Sequence, residues 1–446
     1  MPAAVAREIT EKGGARSPRV AAVAALAAVR RGAKLDAALT RVVRGSLDRR
    51  DASFAEELVK SVVRHKSFLD YQLTQAAAKP LRKAPAAVLD IMRVGAADLF
   101  FLNTPAYAAV DQAVAQVNAS RYAALAPFVN GVLRRLASWE GPATPDGDDA
   151  ARLAVAYSHP EWLVRRWLER LGPAECEELL RANNEPAPLN VYANPARASR
   201  EELSGLLSAE GCAVTDGPFD SLAVTLGDKG LAELDAFREG SFVVLDPAST
   251  IGPRALAPPA GATVWDLCAG VGGKAAQLSW AVGPGGWVVA VDADGRKLKA
   301  CAAAAARLGL ENIEIRKADI LKDELPRADF VFLDVPCTNL GVIRRKPDVK
   351  WRVHEEDVAA AAATQEAMLV RVADVLAPGG TVVYNVCSFE PEENERAVQN
   401  VLARAPLEHV APGERFVALS DGRYLRTWPH RHGCNGGFVA VLRRRR

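Results

Sequence analysis

The chain has 446 residues, more than one hydrophobic core usually holds, so two or three domains are expected. Hydrophobic residues at 49% and charged residues at 25% are the balance of a soluble globular protein, and no apolar run reaches the roughly 20 residues that would cross a membrane. The net charge is only +2, but residues 1–140 carry 21 Lys and Arg against 12 Asp and Glu, a local surplus that points to a polyanion such as nucleic acid.

The opening MPAAVAREITEKGG has no apolar stretch of the secretory type, and a cytoplasmic protein without a membrane partner is expected. From Arg19 to about Leu136 apolar residues recur at spacings of three and four, which predicts an all-α bundle. RVAAVAALAAVRRG stops at Gly32, and TPAYAAVDQAVAQVNAS starts with a Thr cap and a Pro in the first turn. EGPATPDGDDA (140–150) is poor in apolar residues and reads as a linker. A small α+β segment follows over 151–240, with PLNVYAN and SLAVTLG as strands and SREELSGLLSAEG as a capped helix.

From about 241 the pattern alternates. TVWDLCAG, GWVVAVDAD, NIEIRKAD, ADFVFLDVP and GTVVYNVCS are strand-like, with helical stretches between them. That rhythm predicts a parallel sheet covered by helices on both faces. RYLRTWPHRHGCNGGFVAVLRRRR predicts two last strands paired antiparallel at one edge. The division expected is 1–142, 151–240 and 241–446.

DLCAGVGGK (266–274) joins a strand to a helix, where glycines allow a tight turn and the helix start offers free N–H groups. A P-loop is excluded because position 268 is Cys and no Ser or Thr follows Lys274. A dinucleotide fingerprint would need a third glycine at 275, which is Ala. Asp292, Asp319 and Asp334 follow the second, third and fourth strands of this sheet. Acids in register along one carboxyl edge favour S-adenosylmethionine, with Asp292 toward the ribose and Asp319 toward the adenine.

Seven cysteines lie far apart without CxxC spacing, so neither a metal site nor a disulfide framework is expected. Two of them end strands, Cys337 in FLDVPCTN and Cys387 in YNVCSFEPEENE. If those strands are neighbours, both thiols face the pocket beside Asp334. A thiol beside a methyl donor suits pyrimidine chemistry: a thiolate added to carbon 6 makes carbon 5 nucleophilic, and Asp334 would hold the cytosine N3 and amino edge. The acidic half of YNVCSFEPEENE reads as a helix start.

Through DLCAGVGGK, VVAVDAD, KADI, DVPCTNLGVIRRKPDVKW, LAPGGTVVYNVCSFEPEENE and NGGFVAVLRR the chain resembles the RNA 5-methylcytosine methyltransferases (the NOL/NOP/Sun family). FVNGVLRRL and AVDQAVAQV resemble the NusB antitermination factors. The resemblance covers nearly the whole chain. It implies an N-terminal NusB-like RNA-binding bundle, a small middle domain and a C-terminal Rossmann-like S-adenosylmethionine methyltransferase with a seven-stranded sheet. The implied activity is methylation of cytosine carbon 5 in bacterial 16S rRNA, with a monomer expected. By the same match Cys387 is the nucleophile, and Cys337 assists release of the methylated base. Cys268, Ala269, Gly270, Val271, Gly272, Gly273, Lys274, Asp292, Asp319 and Asp334 line the cofactor site, and the basic RRKPDVKW (344–351) meets RNA phosphates. The chain departs from the family pattern at Gly270-Val271 (usually Ala-Pro), at Thr338-Asn339-Leu340 (usually Ser-Gly-Thr) and at Val386 (usually Thr). A tRNA methyltransferase shares the catalytic half, and a non-catalytic RNA-binding assembly factor is the alternative from another class.

Overall fold

The computed structural model describes residues 17–102, 104–227 and 229–446, so the opening MPAAVAREITEKGG lies outside it. The chain forms two compact units. One runs to Asn184 and takes in Lys346–Arg352; the other comprises Glu185–Arg345 and Val353–Arg446.

The first unit is helical. Pro18–Arg30, Arg49–Arg64, Ala86–Phe101, Ala106–Asn118 and Ala126–Ala137 enclose a core of Ala, Val and Leu side chains, including Val23, Leu58, Leu69, Met92, Val117 and Leu133. The small residues let the helices approach closely. Gly95 is one such point, where an added Cβ would lie 2.9 Å from Leu133 Cδ1. The predicted Thr cap is not a cap. Thr104 donates its hydroxyl to buried Asp98 (2.6 Å), and Pro105 stands at the N-cap of helix Ala106–Asn118 without a side-chain acceptor. Asp98 is also held by Arg19, which explains why Thr104 turns inward.

The second unit begins with an antiparallel sheet of β1 (Leu189–Ala193), β2 (Ala213–Asp216), β3 (Leu222–Thr225) and β4 (Phe242–Val244), in the order β2-β3-β1-β4. Helix Arg200–Ala209 lies against it, started by a capping box between Ser199 and Glu202. This layer is locked to the rest of the unit. Asn194 Nδ2 donates to the carbonyls of Gly240 and Leu308 (both 2.9 Å), and Arg307 Nη1 donates to those of Phe237 and Phe242.

The large sheet contains β5 (Thr263–Leu267), β6 (Trp287–Asp292), β7 (Ile313–Lys317), β8 (Ala328–Asp334), β9 (Leu376–Val386), β10 (Leu407–His409) and β12 (Gly437–Arg444). These seven run in the order β10-β12-β9-β8-β5-β6-β7, and short β11 (Leu425–Thr427) pairs beside β12. β5 to β9 are mutually parallel, whereas β12 is antiparallel to β9, β10 and β11. The expected antiparallel edge is therefore present, with β10 as an unforeseen outer strand. From β5 the chain winds first toward β6 and β7, then returns to β8 and β9. The crevice between β5 and β8 is thus a topological switch point, where open α/β sheets bind ligands at their carboxyl ends. No described helix is long and apolar enough to cross a membrane.

Candidate active site

β8 and β9 pair in parallel with Asp334 opposite Asn385. The chain leaves both strands at the same edge, and Cys337 and Cys387 converge there with their sulfurs 2.6 Å apart. Cys337 is held protonated, well above the ordinary thiol range, by its contact with the Cys387 sulfur and by burial.

Asn339 stands at a departure from the family pattern. Its φ of 64° is the left-handed conformation that glycine takes readily and asparagine tolerates. Its Nδ2 donates to the Cys337 carbonyl (2.8 Å), which fixes the amide orientation and leaves Oδ1 to accept from Cys387 Sγ (3.4 Å). Where glycine would leave space, this chain bridges the two cysteine loops. Leu340, at the adjoining departure, is fully buried, and Val386 is 1% exposed within β9.

Asp334 is fixed from two sides. Lys274 Nζ reaches its Oδ2 at 2.7 Å and Asn385 Nδ2 donates to its Oδ1 at 2.5 Å. Burial works against the Lys274 charge, but the Asp334 carboxylate outweighs it and holds the ammonium above the usual lysine range. A carboxylate has about four lone-pair sites, so this one keeps acceptor capacity for a further ligand.

The glycine loop links β5 to helix Gly273–Val282. Cys268 takes φ 70° and Gly270 φ 60°, so the chain turns sharply at the strand end. Gly272 has φ +89°, and a Cβ there would lie 2.6 Å from Cys301 Sγ, so only glycine fits. Burial, reinforced by Asp334, pushes the Cys268 thiol up to about 12, which marks it as inert. Ala269 is buried, whereas Val271 is 60% exposed at the loop tip. Asp292 closes the loop: its Oδ2 accepts from the Gly270 N–H (3.1 Å) and its Oδ1 from the Asp294 N–H (2.8 Å). Asp319 also follows its strand, but its hydrogen bonds go to its own turn. It pairs with Lys322 (2.9 Å), which holds its carboxyl below the ordinary range.

Asp266, Asn385 and Glu393 are near this site, and sequence reasoning missed all three. Asp266 lies fully buried in β5, with both oxygens lacking a hydrogen-bond partner. Burial first, then Asp334, raises its carboxyl to about 8. An acid inside the apolar run TVWDL was the available signal. Its orphaned oxygens beneath the glycine loop, with Asp292 at the neighbouring strand end, fit a ligand that carries both a cation and ribose hydroxyls.

The basic loop corrects an expectation. Arg344 donates to the carbonyls of Gly433, Glu185 and Pro186, and Arg345 pairs with Asp246 (2.9 Å). Lys350 is 0% exposed, donating to Arg64 O and Asn184 Oδ1 (both 2.9 Å). Trp351 Nε1 donates to Val63 O. These side chains are engaged within the protein rather than presented to RNA; Lys346 is the exposed exception within the motif.

Comparison with known proteins agrees with this architecture. Residues 253–443 match the family described as 16S rRNA methyltransferase RsmB/F, 16–138 the NusB family, and 159–230 the RsmF/B-like ferredoxin-like domain. The probable ribosomal RNA small subunit methyltransferase B of Bacillus subtilis is 33% identical, with 87% of this chain and 90% of that protein covered. The ribosomal RNA small subunit methyltransferase B of Klebsiella pneumoniae is 32% identical, covering 80% and 83%. Among solved structures, PH0851 superposes with a TM-score of 0.80 at 22% identity over 97% of this chain and all of that one. NSun6 from Pyrococcus horikoshii with SFG gives 0.58 at 22%, covering 64% and 98%. With a relative one-third identical over nearly its whole length and the matching domains in order, the chain belongs to the S-adenosylmethionine-dependent 16S rRNA methyltransferases of the RsmB/F family.

Proposed function

We propose that this protein methylates carbon 5 of a cytosine in 16S rRNA through a transient bond between Cys387 and carbon 6. The observation that carries the reading is the pairing of β8 with β9, which brings both sulfurs to the strand ends that bear Asp334 and Asn385. Carbon 5 of cytosine is a weak nucleophile. Addition of the Cys387 thiolate to carbon 6 moves an electron pair toward carbon 5, splitting one hard step into easier ones. When bound, S-adenosylmethionine supplies the sulfonium methyl group that carbon 5 accepts. Loss of the carbon 5 proton to a base then returns the electron pair to the ring and expels the Cys387 thiolate. Cys337, beside that sulfur, assists the release, and the Asp334 carboxylate accepts from the cytosine amino group on the N3 edge.

In this reading residues 241–446 react, while 1–142 and 151–240 position the RNA for a cytoplasmic, monomeric enzyme. Exposed Arg31, Lys34, Arg41, Arg49 and Arg50 supply cations for phosphate contacts, so affinity should fall as salt rises. The test is transfer of tritiated methyl to undermethylated small-subunit rRNA. Cys387→Ala should lower turnover at least 1000-fold while S-adenosylhomocysteine still binds. Cys337→Ala should accumulate protein attached to RNA on a denaturing gel. Near-normal turnover in the Cys387 variant would remove the covalent mechanism.

A further inference from the structure

The acidic half of YNVCSFEPEENE does lead into a helix, but one of its carboxylates turns inward. Glu393 is 0% exposed in a short π-helical turn, Glu392–Arg396, that precedes helix Ala397–Leu402. Four donors converge on its carboxylate. Oε1 accepts from the Thr338 N–H and from Gln365 Nε2, both at 2.9 Å. Oε2 accepts from the Thr338 hydroxyl (2.5 Å) and from the Ser388 hydroxyl. Thr338 follows Cys337 in the chain and Ser388 follows Cys387, so one carboxylate grips the residue next to each cysteine.

The grip is itself braced. Gln365, fully buried on helix Glu355–Val375, also donates to the Pro336 carbonyl (3.0 Å) on the other side of Cys337. The Tyr384 hydroxyl donates to the Glu393 carbonyl (2.7 Å) and to Gln365 Oε1 (3.1 Å). Asn394 Nδ2 donates to the Ser388 carbonyl (3.1 Å). A buried charge is expensive unless fully hydrogen-bonded, so the site gains a stiff, specific geometry from this carboxylate. β8 and β9 bring the two loops to the same edge, but strand pairing ends at Asp334 and Asn385. Beyond that point a backbone bond, from the Gly341 N–H to the Cys387 carbonyl (3.0 Å), ties the two loops, and side chains supply the links on the Cys337 side.

We propose that Glu393, braced by Gln365, is a positioning residue that sets the separation of Cys337 and Cys387 through Thr338 and Ser388, and so the rate of the covalent steps. This rests on the two-cysteine reading above. Glu393 is fully buried behind the cysteine loops, so its removal should act on turnover and not on binding.

The test compares Glu393→Ala and Glu393→Gln in the full-length enzyme. Glu393→Ala should lower kcat at least 30-fold, with KM for the cofactor and the affinity for S-adenosylhomocysteine within twofold of wild type. Glu393→Gln should recover to within about fivefold. Its amide oxygen still accepts from Thr338 N–H, and its amide nitrogen can donate to the two hydroxyl oxygens. A kcat within twofold in Glu393→Ala, a glutamine variant no better than alanine, or equal losses in kcat and cofactor affinity would each overturn the proposal. If Glu393→Ala does not fold, the Thr338→Val, Ser388→Ala double variant decides on the same criteria. Cys337→Ala is run alongside. An absent RNA adduct there fails the two-cysteine reading, whereas an adduct there with unchanged kcat in Glu393→Ala fails the positioning role alone.

Discussion

The two units each hold an ionisable group in its neutral form, with opposite consequences for pH. In the helical unit His65 stacks on Phe101, with ring centroids 3.9 Å apart, and burial, then Lys350 and Arg64, holds it down to about 3. Its unfolded value is near 6.5, so stability is present above that pH and is lost as pH falls toward 3. In the C-terminal unit Asp266 is raised to about 8. That stability is present below about pH 4 and is lost as pH rises toward 8. One region is thus weakened by acid and the other by base. The difference teaches what each burial serves. His65 sits among aromatic rings and its neutrality is a packing requirement, whereas Asp266 sits under the glycine loop with unused acceptors, where a cationic ligand would restore its charge.

The comparison can be broken experimentally. Hydrogen exchange resolved by segment reports the two units separately, which a single melting curve would not. The largest effect is expected from Asp266→Asn. It should abolish the loss of stability in the C-terminal unit between about pH 4 and pH 8, a difference on the order of a few kcal/mol from a slope of at most about 1.4 kcal/mol per pH unit. A wild-type profile flat over that range would contradict the buried neutral acid. Next, His65→Phe should flatten the acid limb of the helical unit between about pH 6.5 and pH 3, by roughly 1–3 kcal/mol at the low end. An unchanged acid limb would show that other groups govern it.

A smaller effect belongs to Lys350. Burial, then Arg64, drives its amine well below the lysine range, so the helical unit should gain stability as pH rises toward 10. Lys350→Met removes that gain and two hydrogen bonds together, and should change stability at pH 7 by only about 1 kcal/mol. Its methyltransferase activity should stay within twofold; a large specific loss of RNA binding would restore this lysine as a phosphate contact. The smallest effect is expected from Asp319→Asn, which should leave both pH profiles in place. If Asp319 meets the cofactor, KM for S-adenosylmethionine should rise severalfold without a change in kcat. An unchanged KM would confine the acid to its own turn.

Much of the catalytic edge was legible because strands carry their own signals. Apolar β-branched runs ending in Asp and Cys announced β6, β8 and β9, and a doubly wound order follows from their alternation with helices. β2, β4 and β10 escaped because runs of three or four residues give too little periodicity. Glu393 was missed because an acidic stretch normally faces water; its burial depends on Thr338 and Gln365, which are 55 and 28 residues away in the chain. Arg344 and Lys350 were misread for the converse reason. A basic run looks like a polyanion site until backbone carbonyls are found at the ends of its side chains.

The sequence by itself determined the order of domains, the parallel sheet, the glycine turn at Gly272 and the presence of a thiol at each of two strand ends. These are written in local periodicity and in residue types that only certain backbone conformations accept. Only the tertiary structure decided that the two sulfurs meet, that Asn339 bridges their loops and that Glu393 is a buried clamp rather than a surface charge. Such relations depend on which distant groups share a desolvated volume, and desolvation is a property of the packed chain, not of any stretch of it.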